Sequence, residues 1–313
     1  MSSSSGLQPD PSMIGRLVKP AFALLPDPPS LFRQRAERFA MLAEGHDLAP
    51  YLSFLGALAA VQADLAARPP APTPLPAEQV ERARANAMPP LDRAALGASA
   101  GLRGTIAQFL EALEPVDMPA QAAEALRSLR QAPPSVLDEM IGNVMGDAIP
   151  FETLAQHLFL SAAAQVQAAR LAATLEADRL VPLDTGLCPV CGGPPASSIV
   201  VGHQGAEGAR YAACAFCGTR WNEVRIKCLA CGSTKGVGYK SAEAADDQGG
   251  TAVEATVKAE CCDSCRSWVK ILYADRNPSL EPVADDVASL GLDLLMQDTE
   301  YRRAGFDPFL IGY

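Results

Sequence analysis

The chain has 313 residues, 49% hydrophobic and 20% charged, with a formal net charge of −10 and a pI near 4.9. That length allows two or three compact units with a substantial core. The acidity excludes broad electrostatic attraction to nucleic acid or to an anionic membrane surface.

Residues 1–12 are Ser-rich and polar, without the basic start and apolar run of a secretory signal. Residues 13–29 are punctuated by proline and are expected to wrap a surface. Helical spacing begins at Ser30, read as a cap, and continues through Phe32, Ala36, Phe39, Ala40 and Ala43. A second helix is predicted over Ala49–Ala67, stopped by Pro69 and Pro70, with a Pro-rich connector to Pro76. Further helices are predicted near Ala77–Ala87, Leu102–Leu113, Ala120–Gln131 and Ser135–Val144. A longer one covers Phe151–Asp178, with Leu154, Leu158, Ala162, Gln165 and Ala169 on one face. The apolar runs at 49–67 and 158–175 are interrupted by Pro, Gln, Arg or Asp, so no membrane insertion is expected. Residues 1–182 thus read as an Ala-rich helical domain. His46 and His157 stand alone there, outside any acid–His or Ser–His grouping.

Beyond Val181–Gly186 the character changes to short strand-like segments separated by Gly turns. Ser197–Val201 and Arg210–Ala213 are expected to pair as a hairpin. Thr219–Ile226, Val253–Lys258 and Ser267–Tyr273 also read as extended. A final helix follows, with Val283, Val287, Leu290 and Leu294 on its apolar stripe, Asp285, Asp286 and Asp293 off it, and its face packed on another unit.

Chemistry concentrates in four Cys-x-x-Cys pairs: Cys188/Cys191, Cys214/Cys217, Cys228/Cys231 and Cys262/Cys265. Two cysteines three positions apart curl a turn around one ion, and two such knuckles complete a tetrahedral thiolate site. Four knuckles therefore imply two metal ions. Sequential pairing leaves residues 192–213 and 232–261 between the knuckles, somewhat more than the roughly 15–20 usual for a ribbon. It is preferred because joining the middle knuckles would close a very short loop. Glycine follows three knuckles, at Gly192, Gly218 and Gly232, where a residue tolerant of positive φ is needed. Arg266 takes that position in the fourth, which predicts a less regular turn. Cys261 beside Cys262 is an alternative ligand, disfavoured because it breaks the two-residue spacing.

Clustered pairs in Gly-punctuated surroundings fit metal ribbons in a reducing cytoplasm better than a thiol–disulfide enzyme, which places one pair at a helix start. Four thiolates fill a tetrahedron, so a folding staple is the simplest role, with a redox-responsive metal as the alternative. Zinc and iron both accept that donor set. His203, between the first two knuckles, reads as a loop residue. Trp221, Arg225 and Lys227 would suit single-stranded nucleic-acid binding, but alternation makes Trp221 a ribbon core residue and the basic side chains a solvated edge.

The knuckles and their flanks resemble the FdhE family of formate dehydrogenase accessory proteins. The resemblance lies in Leu187-Cys-Pro-Val-Cys-Gly192, Arg210-Tyr211 ahead of Cys214-Ala-Phe-Cys217, and Trp221 with Val224-Arg-Ile-Lys227 before Cys228-Leu-Ala-Cys231. Cys262-Asp-Ser-Cys265 with Val269-Lys-Ile-Leu-Tyr273, Val283-Ala-Asp-Asp-Val-Ala-Ser-Leu290 and Asp307-Pro-Phe-Leu310 extend it. It implies an α+β multidomain protein: a helical domain (1–182), two rubredoxin-like or zinc-ribbon modules (183–227 and 228–274) and a C-terminal helical segment (275–313). It further implies a non-enzymatic maturation factor in the cytoplasm that binds the catalytic, molybdenum-containing subunit of respiratory formate dehydrogenase. All eight paired cysteines carry over as ligands of two metal ions, with iron favoured and zinc the alternative. A redox or sulfur-handling enzyme acting on the partner's cofactor and a nucleic-acid-binding zinc ribbon are the competing readings.

Overall fold

The computed structural model describes residues 20–183, 186–202, 207–242 and 255–310. Eight α-helices lead: α1 (Pro28–Ala43), α2 (Ala49–Ala67), α3 (Ala77–Ala85), α4 (Arg93–Gly97), α5 (Ala100–Ala112), α6 (Ala120–Gln131), α7 (Pro134–Met145) and α8 (Leu154–Ala172). The cap of α1 is Asp27, whose side chain accepts from the Ser30 N–H; Pro28 and Pro29 occupy the first turn, where a missing N–H costs nothing. Ser30 is therefore inside the helix, and the cap lies three residues earlier than expected. The predicted 151–178 helix is three pieces, a short 3₁₀ turn at Phe151–Thr153, α8, and another 3₁₀ turn at Ala177–Arg179.

Helix α8 is buried on nearly every side, and small Ala residues let α2, α5, α6 and α7 approach it. Polar contacts cross this core: Gln62 Nε2 donates to Ala162 O and Gln165 Oε1, both at 2.8 Å. Among the described residues α2 alone is long and apolar enough to cross a bilayer, but 56% of that window is buried within the protein. It packs as a core helix of this layer beside α8.

The second layer is one mixed sheet. Its strands are β1 (Ala23–Leu24), β2 (Ser197–Val200), β3 (Arg210–Ala213), β4 (Arg220–Glu223), β5 (Val237–Lys240), β6 (Val257–Cys262), β7 (Ser267–Tyr273) and β8 (Arg302–Arg303). The order is β1-β4-β3-β2-β7-β6-β5, with β8 beside the start of β7. The expected β2–β3 hairpin is present, Ser197 opposite Ala213 and Val200 opposite Arg210. Parallel pairing of β2 with β7, from Ser197↔Lys270 to Val200↔Tyr273, joins the two ribbon regions into a continuous surface. Of the Pro-punctuated segment 13–29, residues 13–19 lie outside the described residues; the described part before α1 wraps a surface as a strand, where β1 adds to β4 and Phe22 O accepts from the Asn222 N–H at 2.7 Å.

The C-terminal segment closes the gap between the layers. It is broken into α9 (Ala284–Ala288) and α10 (Leu290–Gln297), and Leu294 is exposed, off the buried stripe. Asp285, Asp286 and Asp293, placed off the apolar stripe by the pattern, are all buried. The reason is a set of cations on the neighbouring elements. Arg35 and Arg38 of α1 bind Glu281 and Asp285 at 3.1 and 2.6 Å, while Lys270 of β7 and Arg303 of β8 bind Asp286 and Asp293. Burial favours the neutral form of Asp286, but Arg303 and Lys270 overcome it and hold the carboxyl below its ordinary range.

One close approach fixes how the knuckles sit. Gly186 has φ +68°, and a Cβ there would lie 1.7 Å from Leu229 O, inside the third knuckle. Gly186→Ala is therefore expected to destabilise the fold by about 3 kcal/mol or more, from left-handed strain plus a backbone clash. A denaturant midpoint unchanged from the parent would refute this contact.

Candidate metal centres

Each ribbon presents its cysteines from two turns that face each other. The first set gathers Cys188, Cys191, Cys214 and Cys217; the second gathers Cys228, Cys231, Cys262 and Cys265, the sulfurs of each lying within 4.8 Å of one another. Cross-knuckle Sγ···Sγ distances are 3.5 Å for Cys188–Cys217 and Cys191–Cys214, and 3.8 and 3.7 Å for Cys228–Cys265 and Cys231–Cys262. A metal–sulfur bond of about 2.3 Å gives a tetrahedral edge of about 3.8 Å, so both sets fit one four-coordinate ion. A disulfide needs about 2.05 Å. The chain folds into the sequential pairing. Cys261 is excluded by strand alternation: its side chain points to the opposite face of β6, among Trp268, Leu292 and Met296.

The four turns are built alike. In each, the N–H one residue past the second cysteine returns to the carbonyl of the first: Gly192 to Cys188, Gly218 to Cys214, Gly232 to Cys228 and Arg266 to Cys262, at 2.8–3.1 Å. The φ angles are +72°, +73°, +74° and +55°. The irregular fourth knuckle expected from Arg266 is thus corrected; the arginine adopts the left-handed conformation the turn requires, at a steric cost. Arg266→Gly is expected to raise the unfolding free energy by roughly 1 kcal/mol. Its exposed pairing with Glu300 contributes little against this. An unchanged or lower midpoint in urea would count against this account.

The sulfurs differ in setting. In the first centre burial pushes the Cys188 thiol well up; burial opposes ionisation of Cys217 too, yet its hydrogen bonds with the other three cysteines and Thr219 carry it well down. In the second, burial pushes Cys228 up to about 12. Burial also opposes ionisation of Cys262, yet the N–H groups of Cys265 and Ser264 bring it down to about 7. Such N–H···S bonds spread thiolate charge and orient the ligand. Both sets suit zinc or iron, and uptake of either displaces the remaining thiol protons.

Surroundings absent from the sequence pattern complete the first centre. Arg93 of α4 lies 4.3 Å above the Phe216 ring inside the second knuckle and pairs with Asp147 at 2.6 Å. Burial opposes its charge, but Asp147 and then Cys191 and Cys214 hold the guanidinium charged. Asp92, which caps α4 through the N–H groups of Ala94 and Ala95, was the available local signal for that short helix. Nothing local marks Arg93 as a neighbour of sulfur. The two described histidines are structural: His46 bonds Ala288 O and the Leu48 N–H, and His157 is buried against Thr153 O. His203 lies outside the described residues. Trp221 is buried and cannot stack on a base, while Arg225 is exposed and Lys227 pairs with Glu223.

A helical layer on a sheet that carries two four-cysteine knuckle pairs defines a double-ribbon metal-binding protein. Comparison with known proteins makes it more particular. Residues 20–185, 187–225 and 226–310 match the family models described as "FdhE, N-terminal", "FdhE, central domain" and "FdhE, C-terminal domain". "Protein FdhE homolog" of Rhizobium meliloti (strain 1021) is 59% identical over 311 residues, covering 99% of this chain and 100% of that one. "Protein FdhE" of Escherichia coli (strain K12) is 33% identical over 296 residues, covering 92% and 90%. The crystal structure of the FdhE protein from Pseudomonas aeruginosa superposes with a TM-score of 0.81 at 31% identity, covering 94% of this chain and 99% of that chain. The chain belongs to the FdhE family.

Proposed function

We propose that the chain is a non-catalytic accessory factor in the maturation of respiratory formate dehydrogenase. On this reading it acts in the cytoplasm, holds two metal ions through its eight paired cysteines and binds the molybdenum-containing catalytic subunit. Family membership along the whole chain supports the accessory role. The observation that carries the metal part is the convergence of the eight sulfurs into two sets of tetrahedral size. Four thiolates leave no open coordination position for a substrate, which supports a structural or signalling metal over a catalytic one. Iron is favoured over zinc by the family resemblance alone. The four regions 1–182, 183–227, 228–274 and 275–313 serve here as scaffold, two ribbons and closing segment.

The test is metal analysis of anaerobically purified chain together with capture of the catalytic subunit from an extract. Two metal ions per chain and a stoichiometric complex are the expected results. A substoichiometric amount of the chain that activates many equivalents of formate dehydrogenase would establish the enzymatic alternative instead. That alternative draws on one observation, the exposure of Cys231 in the second centre.

A further inference from the structure

The two centres have the same donors and turns, but the first is wholly buried whereas only Cys228 and Cys262 of the second are. All four cysteines of the first are buried, the most accessible at 3%. Each of its knuckles is also covered by the helical layer. Pro89 would lie 3.1 Å from a Cβ on Gly192, and Leu31 and Pro26 close over Gly218 in the same way. Leu91 N donates to Val190 O at 2.9 Å, and Arg93 lies on Phe216. In the second centre Cys231 is exposed and Cys265 half-buried, with Ala230 and Ser264 exposed beside them. Its knuckles are tied to each other and to nearby turns through Ser233, Ser264 and Lys235, and through Tyr301 to Asp263.

A tetrahedral thiolate ion exchanges when an incoming donor reaches it or when one sulfur swings away into water. Neither route is open at the first centre without lifting α4 and the segment before α1. Both are open at Cys231. The charge balance differs as well: a divalent ion with four thiolates carries −2, and the Arg93 guanidinium offsets part of this in the dry first centre, where an uncompensated charge is costly. Bulk water does that work at the second.

We propose that the second centre is the exchangeable one, releasing and accepting metal with Cys231 as the first sulfur to leave, while the first centre retains its ion as a staple between the two layers. This rests on the reading that both sets bind metal. In the exchange a donor atom of the acceptor forms a bond to the metal and the Cys231 sulfur departs with its electron pair as a thiolate, which takes a proton from water. No oxidant or reductant is involved.

The full chain loaded with Zn(II) tests this in two measurements. Transfer to the chelator 4-(2-pyridylazo)resorcinol is expected to be biphasic, one equivalent leaving at least tenfold faster than the other. Iodoacetamide added after the fast phase, followed by peptide mass mapping, is expected to mark Cys228, Cys231, Cys262 and Cys265 and to spare the first set. Cys231→Ser is expected to abolish or accelerate the fast equivalent without altering the slow one. Chain that arrives with a single ion and an alkylated second set supports the same inequality. Release at one rate, or early marking of Cys188, Cys191, Cys214 or Cys217, overturns it with the metal-binding reading intact. Chain that binds no metal overturns both.

Discussion

Replacing Cys188 and Cys191 together by serine is expected to lower the thermal midpoint by about 20 °C or more, besides removing one metal ion. A structural four-ligand zinc site contributes about 10–16 kcal/mol to folding in small metal-dependent domains, and total stability is only about 5–15 kcal/mol. At roughly 2–4 °C per kcal/mol for chains approaching this size, even a fraction of that contribution is a large shift. The position of the centre makes the cost general. Val190 lies in the first knuckle and binds Leu91, and Phe216 lies in the second and supports Arg93, which in turn holds α7 through Asp147. Freeing these turns opens the seam between helices and sheet. Calorimetry and metal content of the variant check this, and the equivalent Cys228→Ser, Cys231→Ser pair provides the control. Its knuckle reaches the main core only through Leu229, which packs against Gly186, and otherwise supports its partner knuckle and the exposed edge near β5, so a smaller shift is expected. Equal shifts for the two pairs would sink the argument.

The second large effect is expected at Lys270. Its side chain is 0% exposed, and Nζ donates to Asp286 O at 2.6 Å and Ser289 O at 3.2 Å while pairing with Asp286 and Asp293. With Arg303 on the same two carboxylates, two cations balance two anions in the interior. Burial, and then the Asp286 charge, push the nearby Asp307 carboxyl well up toward its neutral form. Lys270→Met would leave two carboxylates facing one guanidinium. Removing one partner of a buried ion pair costs about 3–5 kcal/mol, and the thermal midpoint is expected to fall by roughly 6–20 °C. Adding Asp293→Asn should restore part of this loss by returning the cluster to one cation and one anion. A double variant as unstable as the sum of the single changes would show that charge balance is not the cause.

Much of the local structure was legible in the residues. Pro-bounded, Ala-rich segments marked α2 and α6 at their observed limits, because helix stops and caps are local chemistry. Ser267–Tyr273 was readable as a strand for its run of β-branched and aromatic residues. The edge strand β5 was not, since its four residues, three of them exposed and one a glycine, carry no hydrophobic alternation. Asp285, Asp286 and Asp293 misled for a related reason. Periodicity assigns acids to solvent, and only the arrival of Lys270, Arg303 and Arg38 from other elements makes their burial tolerable.

The spacing of eight cysteines pointed to two four-sulfur sites and favoured the sequential pairing into which the chain folds. A knuckle is a turn of a few residues, so its code is contiguous. Tertiary structure alone decided that the ribbons share one sheet through β2 and β7, that Arg93 stands beside the first set of sulfurs, and that Cys231 meets water while Cys188 does not. Pairing and burial depend on residues brought together from distant parts of the chain, and no local pattern records which of two identical motifs the rest of the fold will cover.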